Sequence, residues 1–258
     1  MLYRFGMAVC GALFSVLRVR RTVAGVEQIP DDGGAVIAMT HFGYLEFALV
    51  AHTIWRHDRR RMRFLITSSA FRNPIVGGLL RRLDQIPVDR RAGRAAYAAA
   101  VSALQSGSLV GVFPEAGIDA SFTVRALKTG AVRLAAEANI PLIPVALWGG
   151  QRLITREHRV RFFERFGIPV SIRFGKALSP SGERHTVTTN LRASLQKLVA
   201  GLQAAYPDDG TGQWWQPRHL GGTAPTPDEA IALDAATVAR RDARRETRAA
   251  KRARRSQN

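Results

Sequence analysis

Residues 35–50 read AVIAMTHFGYLEFALV. The first five are apolar, and a short apolar run of this kind predicts a buried β-strand. After Gly43 the apolar residues follow the spacing of a helix, at Leu45, Leu49, Val50 and Ile54. His41 therefore falls where a strand passes into a helix, which is the usual position of site residues in α/β folds.

The spacing of five residues between His41 and Glu46 has a specific physical use. Inside one helix it would place the two side chains roughly 140° apart, so they could not meet. If His41 precedes the helix and Glu46 lies in its early turns, the carboxylate can return to the imidazole, and Gly43 gives the backbone room to bend. The carboxylate would then fix the tautomer and leave the other ring nitrogen as a general base. The alternative is a hydrogen-bonded histidine beside a glutamate that the helix dipole favours.

Further apolar runs alternate with helical segments along the chain. Strands are predicted at residues 62–67, 85–88, 108–113, 142–147 and 170–174, with helices between them and at 187–206. The alternation predicts an α/β fold whose sheet carries helices on both faces. In such a sheet the carboxyl ends of neighbouring strands line one crevice, so the turns that carry His41 and Glu115 can meet there.

Composition and charge narrow the class of protein. The 258 residues are 46% hydrophobic, enough for one large α/β domain or two small ones. Cys10 is the single cysteine, which excludes an internal disulfide and a cysteine metal site and fits a reducing cytosolic setting. The net charge of +18 predicts anionic partners: nucleic acid, an anionic membrane or phosphate-bearing substrates.

The two ends of the chain differ in character from its middle. Residues 1–21 are mostly apolar, but the uncharged run at 5–17 would reach only about 20 Å as a helix, against roughly 30 Å of hydrocarbon. We therefore predict a helix in the membrane interface, and the alternative is a helix packed on the protein's own core. A main domain is predicted at 22–206, a linker at 207–229 and a basic Ala/Arg-rich tail at 230–258, either a solvated helix or disordered.

Four blocks stand in order along the chain: THFGYLE at 40–46, RNPIVGG to IPVDR at 72–90, VFPEAG at 112–117 and IPLIPVALWG at 140–149. Together they resemble the PlsC family, the 1-acyl-sn-glycerol-3-phosphate acyltransferases and their lysophospholipid relatives, over roughly residues 19–205. The resemblance implies a glycerol-3-phosphate acyltransferase-like α/β fold, with a mixed central sheet flanked by helices. It makes 22–206 the acyltransferase domain.

The sequence departs from the family's patterns at several positions. The family's N-H-x-x-x-x-D has Thr40 in place of the asparagine and Glu46 in place of the aspartate. The family's F-P-E-G-T-R-S is FPEAGID at 113–119, without the arginine, and Ala120 also stands near that position. These departures preserve the catalytic pair but weaken the inference that the acceptor is simple lysophosphatidic acid.

The mechanism that the resemblance implies is direct acyl transfer. His41 deprotonates the acceptor hydroxyl, Glu46 orients His41 and stabilises the imidazolium, and the hydroxyl oxygen attacks the thioester of acyl-CoA or acyl carrier protein. No metal and no cofactor beyond that co-substrate is implied. The implied substrate-binding residues are Glu115, Gly117, Arg90, Arg125 and Lys128. For the basic residues the alternative is a solvated surface, and for Glu115 it is helix capping.

The expected partners are the acyl thioester donor, a lysophospholipid acceptor and an anionic membrane surface. They predict a peripheral or monotopic protein at the cytoplasmic face of a membrane. Alternatives are another lyso-lipid or glycolipid acceptor, an inactive membrane-binding scaffold, or a nucleic-acid-binding protein. The last is disfavoured because the charge comes without a recognisable reader motif or interleaved stacking aromatics.

Overall fold

The computed structural model describes residues 1–88, 93–156 and 158–255. Across these residues, seven strands form one sheet in the order β1-β7-β6-β2-β5-β3-β4. The strands are β1 (Arg20–Ala24), β2 (Ala35–Met39), β3 (Met62–Thr67), β4 (Ile86–Val88), β5 (Leu109–Val112), β6 (Leu142–Trp148) and β7 (Pro169–Phe174). The helices are α1 (Leu2–Val16), α2 (Glu46–Asp58), α3 (Ser68–Phe71), α4 (Pro74–Arg82), α5 (Gly93–Gln105), α6 (Gly130–Ala138), α7 (Arg184–Ala204) and α8 (Pro227–Arg255). The predicted mixed sheet flanked by helices is confirmed.

The direction of the strands decides which chain segments meet. Strands β2, β3, β4, β5 and β6 run parallel to one another, whereas β7 is antiparallel to β6 and β1 is parallel to β7. Trp148 at the end of β6 pairs with Ser171 near the start of β7, and Arg20 at the start of β1 pairs with Pro169. The carboxyl ends of β2, β5 and β6 and the amino ends of β1 and β7 therefore share one edge, called here the carboxyl edge.

Strand β1 was missed by the sequence prediction. Its five residues are all exposed and carry two arginines, so no buried apolar run marks them as a strand. The strand forms because it lies at the border of the sheet, where parallel pairing with β7 satisfies its backbone on one side.

The hydrophobic core surrounds β2, the strand that leads to His41. Every residue of β2 is completely buried, which explains its continuous apolar sequence, since parallel strands are covered on both faces. Helix α2 packs on the same core with Leu49, Val50 and Ile54, and α1 contributes Phe14. The described helices include none that is long and apolar enough to cross a membrane.

The chain divides into two compact units. The first comprises Met1–Asp119 with Val124–Asp209 and holds the whole sheet; the second comprises Ala120–Thr123 with Gly210–Asn258. Within the second unit, the rings of Phe122 and Trp214 pack edge to face at 6.1 Å, and α8 is its long helix. The linker and tail boundaries given above stay predictions.

Candidate active site

His41 and Glu46 meet in the turn between β2 and α2. His41 Nδ1 lies 3.2 Å from Glu46 Oε2, and the Phe42 amide donates to both carboxylate oxygens at 2.9 and 3.0 Å. Glu46 is the first residue of α2 and is completely buried, whereas the His41 side chain keeps 19% of its surface exposed. The chain thus folds the carboxylate back to the ring as the five-residue spacing predicts, and the ring stays accessible.

Two opposing effects act on the pKa of Glu46. Burial raises the pKa of this carboxyl above its ordinary value, while hydrogen bonds from His41 and from the Phe42 and Gly43 amides lower it. The amides of the turn before α2 supply the hydrogen bonds that water would otherwise give a carboxylate. Glu46 is therefore held as a fixed partner for the ring without solvent around it.

The turn after β5 holds His41 from the other side. The imidazole stacks on the Phe113 ring with centroids 3.9 Å apart and planes 22° apart. The His41 amide donates to Glu115 Oε1 at 3.1 Å, and the His41 carbonyl accepts from the Asp119 amide at 2.9 Å. Ring and backbone are thus both fixed, which is the preorganisation that a general base needs.

The segment after β6 supports the same turn from behind. The Thr40 hydroxyl accepts from the Leu147 amide at 3.1 Å, so the residue that replaces the family's asparagine ties β2 to β6. Thr155 Oγ1 donates to the Phe42 carbonyl at 2.8 Å, and the Tyr44 amide donates to the Ile154 carbonyl at 3.0 Å. Sequence reasoning missed Thr155, because a single threonine in an irregular segment carries no pattern.

The structure gives Gly43 a role beyond the room to bend predicted above. Its φ is not in the left-handed region. A Cβ atom there would instead lie 2.9 Å from the Ile154 carbonyl oxygen and 3.0 Å from that of Gly150. Glycine is needed because the backbone at 150–154 approaches closely behind the turn between β2 and α2.

Glu115 braces the site and is largely enclosed by it. Only 4% of its surface is exposed, and its oxygens accept from the amides of His41 (3.1 Å) and Arg125 (3.4 Å). Burial raises its pKa to about 8, and the nearby Asp119 charge adds to that effect. These contacts are with backbone and make Glu115 a positioning residue; contact with the acceptor stays a prediction.

The other predicted binding residues lie around this brace. Arg125 Nε is 3.7 Å from Asp119 Oδ2, and a Cβ at Gly117 would lie 2.8 Å from the Arg125 guanidinium. The Lys128 amide donates to the Pro114 carbonyl at 2.8 Å, and its side chain is exposed. The structure therefore brings Gly117, Arg125 and Lys128 to the loop after β5. Arg90 lies outside the described residues.

Ala116 carries backbone strain beside this loop. Its φ of 60° is left-handed, a conformation that costs an L-residue about 1–2 kcal/mol and costs glycine almost nothing. Ala116→Gly is expected to raise the free energy of unfolding by about 1 kcal/mol, measured by denaturant unfolding. Ala126→Gly, at a nearby position without a left-handed φ, should give no gain. A loss of stability in Ala116→Gly would contradict this interpretation.

The raised pKa of Glu115 predicts a dependence of stability on pH. Between its ordinary value of 4.5 and about 8 the folded state binds the additional proton, so stability falls as pH rises through that window. Glu115→Gln cannot ionise, so its Tm relative to the wild type should become more favourable between about pH 5 and pH 8.

A matched substitution separates this effect from a general one. The pKa of Glu183 is lowered by hydrogen bonds at the start of α7, so the Tm difference of Glu183→Gln should stay flat over the same range. A flat difference for Glu115→Gln as well would show that Glu115 does not titrate in this window.

Fold and site together define an α/β protein whose sheet presents an accessible histidine backed by a buried glutamate. The chain belongs to the acyltransferase family, because the family model described as Acyltransferase matches residues 20–148. That match spans half of the chain and contains His41, Glu46, Glu115, Gly117, Arg125 and Lys128.

Individual relatives agree with this assignment. The chain is 32% identical over 124 residues to the 1-acyl-sn-glycerol-3-phosphate acyltransferase of Bacillus subtilis, covering 48% of this chain and 60% of that protein. The enzyme of the same name from Borreliella burgdorferi is 27% identical over 135 residues, covering 50% and 52%. The chain thus spans little more than half the length of these relatives.

A solved structure supports the fold. The crystal structure of the 1-acyl-sn-glycerophosphate (LPA) acyltransferase PlsC from Thermotoga maritima matches with a TM-score of 0.67 at 19% identity, over 80% of this chain and 81% of that one. The predicted resemblance to the PlsC family is confirmed.

Proposed function

We propose that the chain transfers a fatty acyl group from acyl-CoA or acyl carrier protein to the hydroxyl of a lysophospholipid such as 1-acylglycerol-3-phosphate, in phospholipid biosynthesis. The observation that carries the proposal is the contact of 3.2 Å between His41 Nδ1 and the buried Glu46 carboxylate. It leaves Nε2 as the nitrogen available for a substrate proton. Family membership and the names of the matched relatives agree with this chemistry.

The proposed reaction proceeds by direct transfer. Nε2 of His41 takes the proton of the acceptor hydroxyl while the hydroxyl oxygen bonds to the thioester carbon. The resulting imidazolium donates through Nδ1 to Glu46, whose negative charge stabilises it. Collapse of the tetrahedral intermediate breaks the carbon–sulfur bond, and the thiolate takes the proton from His41. Phe113 and Glu115 keep the ring and its backbone in place throughout.

The acceptor's phosphate would be bound by fewer cations than in typical relatives. Ile118 occupies the place of the family's arginine and is buried, and Arg125 already pairs with Asp119. If the acceptor is the anionic lyso-lipid predicted above, which the net charge of +18 favours, its phosphate must be bound differently from that in typical relatives. The same two observations support the second candidate, an uncharged lyso-lipid or glycolipid acceptor.

Lys128 distinguishes these two acceptor classes. Its side chain is exposed and its backbone is tied to Pro114, next to Glu115. Lys128→Ala should raise the KM of a phosphate-bearing acceptor by about tenfold and change kcat little, because phosphate binding is nearly uniform along the reaction. Steady-state kinetics with lysophosphatidic acid and with an uncharged lyso-lipid measure the difference. An equal KM in wild type and variant would remove Lys128 from the phosphate site.

Membrane association belongs to the same proposal. Helix α1 buries Tyr3 and Phe14 but leaves an apolar stripe exposed at Met1, Phe5, Val9, Leu13 and Val16. Such a stripe fits a helix lying in the membrane interface, on the cytoplasmic face where anionic lipids attract a chain of net charge +18. The basic tail would add electrostatic attraction.

An acceptor screen tests the proposed function. Purified protein with labelled acyl-CoA or labelled acyl-acyl carrier protein should form acylated products from phosphate-bearing lyso-lipids. Products from glycolipids or uncharged lyso-lipids alone would support the second candidate. Absence of thioester consumption with every acceptor and both donors would support the inactive scaffold.

A further inference from the structure

An exposed aromatic cluster precedes β7. Phe162–Arg165 form a 3₁₀ turn, and Phe166 follows it. Phe163 is 85% exposed and Phe162 58%, and the Phe162 ring packs edge-on against Phe163 at 5.6 Å and Phe166 at 5.3 Å. Three phenylalanine rings gathered on the surface mark an interaction site. Phe162, Phe163 and Phe166 are called here the aromatic turn.

Local hydrogen bonds hold this turn in shape. The Arg161 amide donates to Glu164 Oε2 at 3.1 Å, and the Glu164 amide donates to the Arg161 carbonyl at 3.2 Å. The Arg165 guanidinium donates to the Val160 carbonyl at 3.0 Å. Hydrogen bonds within the turn thus fix its backbone, and the three rings lie on the surface and not in the core.

The aromatic turn lies at the carboxyl edge of the sheet, where His41 also lies. It leads directly into the amino end of β7, which pairs antiparallel with the carboxyl end of β6. The Gly167 amide donates to the Leu17 carbonyl at 2.9 Å, just beyond the end of α1. The carboxyl end of α1, where its exposed stripe ends at Val16, therefore meets the segment that follows the aromatic turn at this edge.

Arginines flank the rings along the sequence. Arg159 and Arg161 are exposed, Arg165 is half-buried, and Glu164 accepts from the Arg161 amide. Aromatic rings between arginines suit a bilayer interface, because the rings reach the acyl boundary while the guanidinium groups meet lipid phosphates.

We propose that the aromatic turn inserts into an anionic membrane surface as a second anchor beside α1. Insertion at this edge holds the His41 crevice against the bilayer in which a lyso-lipid acceptor lies. Only this last consequence rests on the proposed function. Insertion itself does not depend on catalysis, so His41→Ala should bind vesicles like the wild type.

Vesicle binding tests the proposal. Co-sedimentation of the full chain with phosphatidylcholine and phosphatidylglycerol vesicles should show a fall in partition of about tenfold or more in Phe162→Ser/Phe163→Ser. The control Val23→Ser removes an apolar side chain that is 40% exposed near the opposite end of β1 and should bind unchanged. Circular dichroism and Tm establish that both variants are folded.

The depth of insertion gives a second, independent measurement. In a Cys10→Ser background, a fluorophore sensitive to its environment on Phe163→Cys should shift to the blue with vesicles and be quenched by spin-labelled lipids. The same label on Asp32→Cys, in the exposed turn before the amino end of β2, should do neither. Unchanged partition of the double variant, or a label at position 163 that stays in water, would overturn the proposal. The proposal would also be overturned if the wild type forms a dimer that dissociates in the double variant while vesicle binding persists.

Discussion

His41→Ala is expected to lower kcat/KM for acyl transfer by a factor of about 10²–10⁴, the usual contribution of a general base. The ring sits between the Glu46 carboxylate and the Phe113 face, and alanine leaves no group there that takes the hydroxyl proton. Steady-state rates with an acyl thioester and a lysophospholipid measure the loss. The Tm should change little, because the His41 backbone contacts with Glu115 and Asp119 do not need the side chain.

A matched histidine controls for nonspecific effects. His57 lies exposed in the last turn of α2, on the same helix that begins at Glu46. His57→Ala should keep the wild-type rate. Wild-type turnover in His41→Ala would contradict the mechanism proposed here.

Glu46→Gln is expected to lower kcat/KM by about 10²-fold or more. Glutamine is nearly isosteric, but its neutral amide neither stabilises the imidazolium nor fixes the ring tautomer as a carboxylate does. The buried position makes the loss large, because no water replaces the missing charge. The amide oxygen still accepts from Phe42, so the turn should stay folded, as thermal unfolding would show.

Glu46→Asp separates the effect of the negative charge from the effect of side-chain length. It restores the residue of the family's pattern and keeps the negative charge, but shortens the side chain by one methylene in a backbone arranged for glutamate. We expect its rate to lie between those of the wild type and Glu46→Gln. A rate below that of Glu46→Gln would mean that reach matters more than charge at this position.

The fold could be predicted from sequence where burial leaves a pattern. The fully buried strand β2 is a continuous apolar run, and His41 lies in the turn between this strand and α2. The exposed border strand β1 has no such pattern, because only its backbone pairing makes it a strand. The spacing of five residues between His41 and Glu46 also predicted correctly that the Glu46 carboxylate contacts the imidazole.

The surroundings of the site could not be predicted in the same way. Thr155 and the close approach at Gly43 depend on where the segment after β6 passes, which is a tertiary contact between distant stretches. For Glu115 the sequence predicted a substrate contact, with helix capping as the alternative, and gave no sign that its carboxylate accepts from the His41 and Arg125 amides. The aromatic turn could not be recognised from sequence, because three phenylalanines in an irregular segment give no sign that their rings are exposed at the carboxyl edge.

The most direct test of acyl transfer by His41 and Glu46 follows both products of one reaction. Purified protein is mixed with labelled acyl-CoA and lysophosphatidic acid, and free thiol and acylated lipid are measured over time. Direct transfer predicts that both form in a ratio of one to one, and that both fall together in His41→Ala and Glu46→Gln. Thiol release without acylated lipid, or acylated lipid formed equally well by His41→Ala, would contradict it.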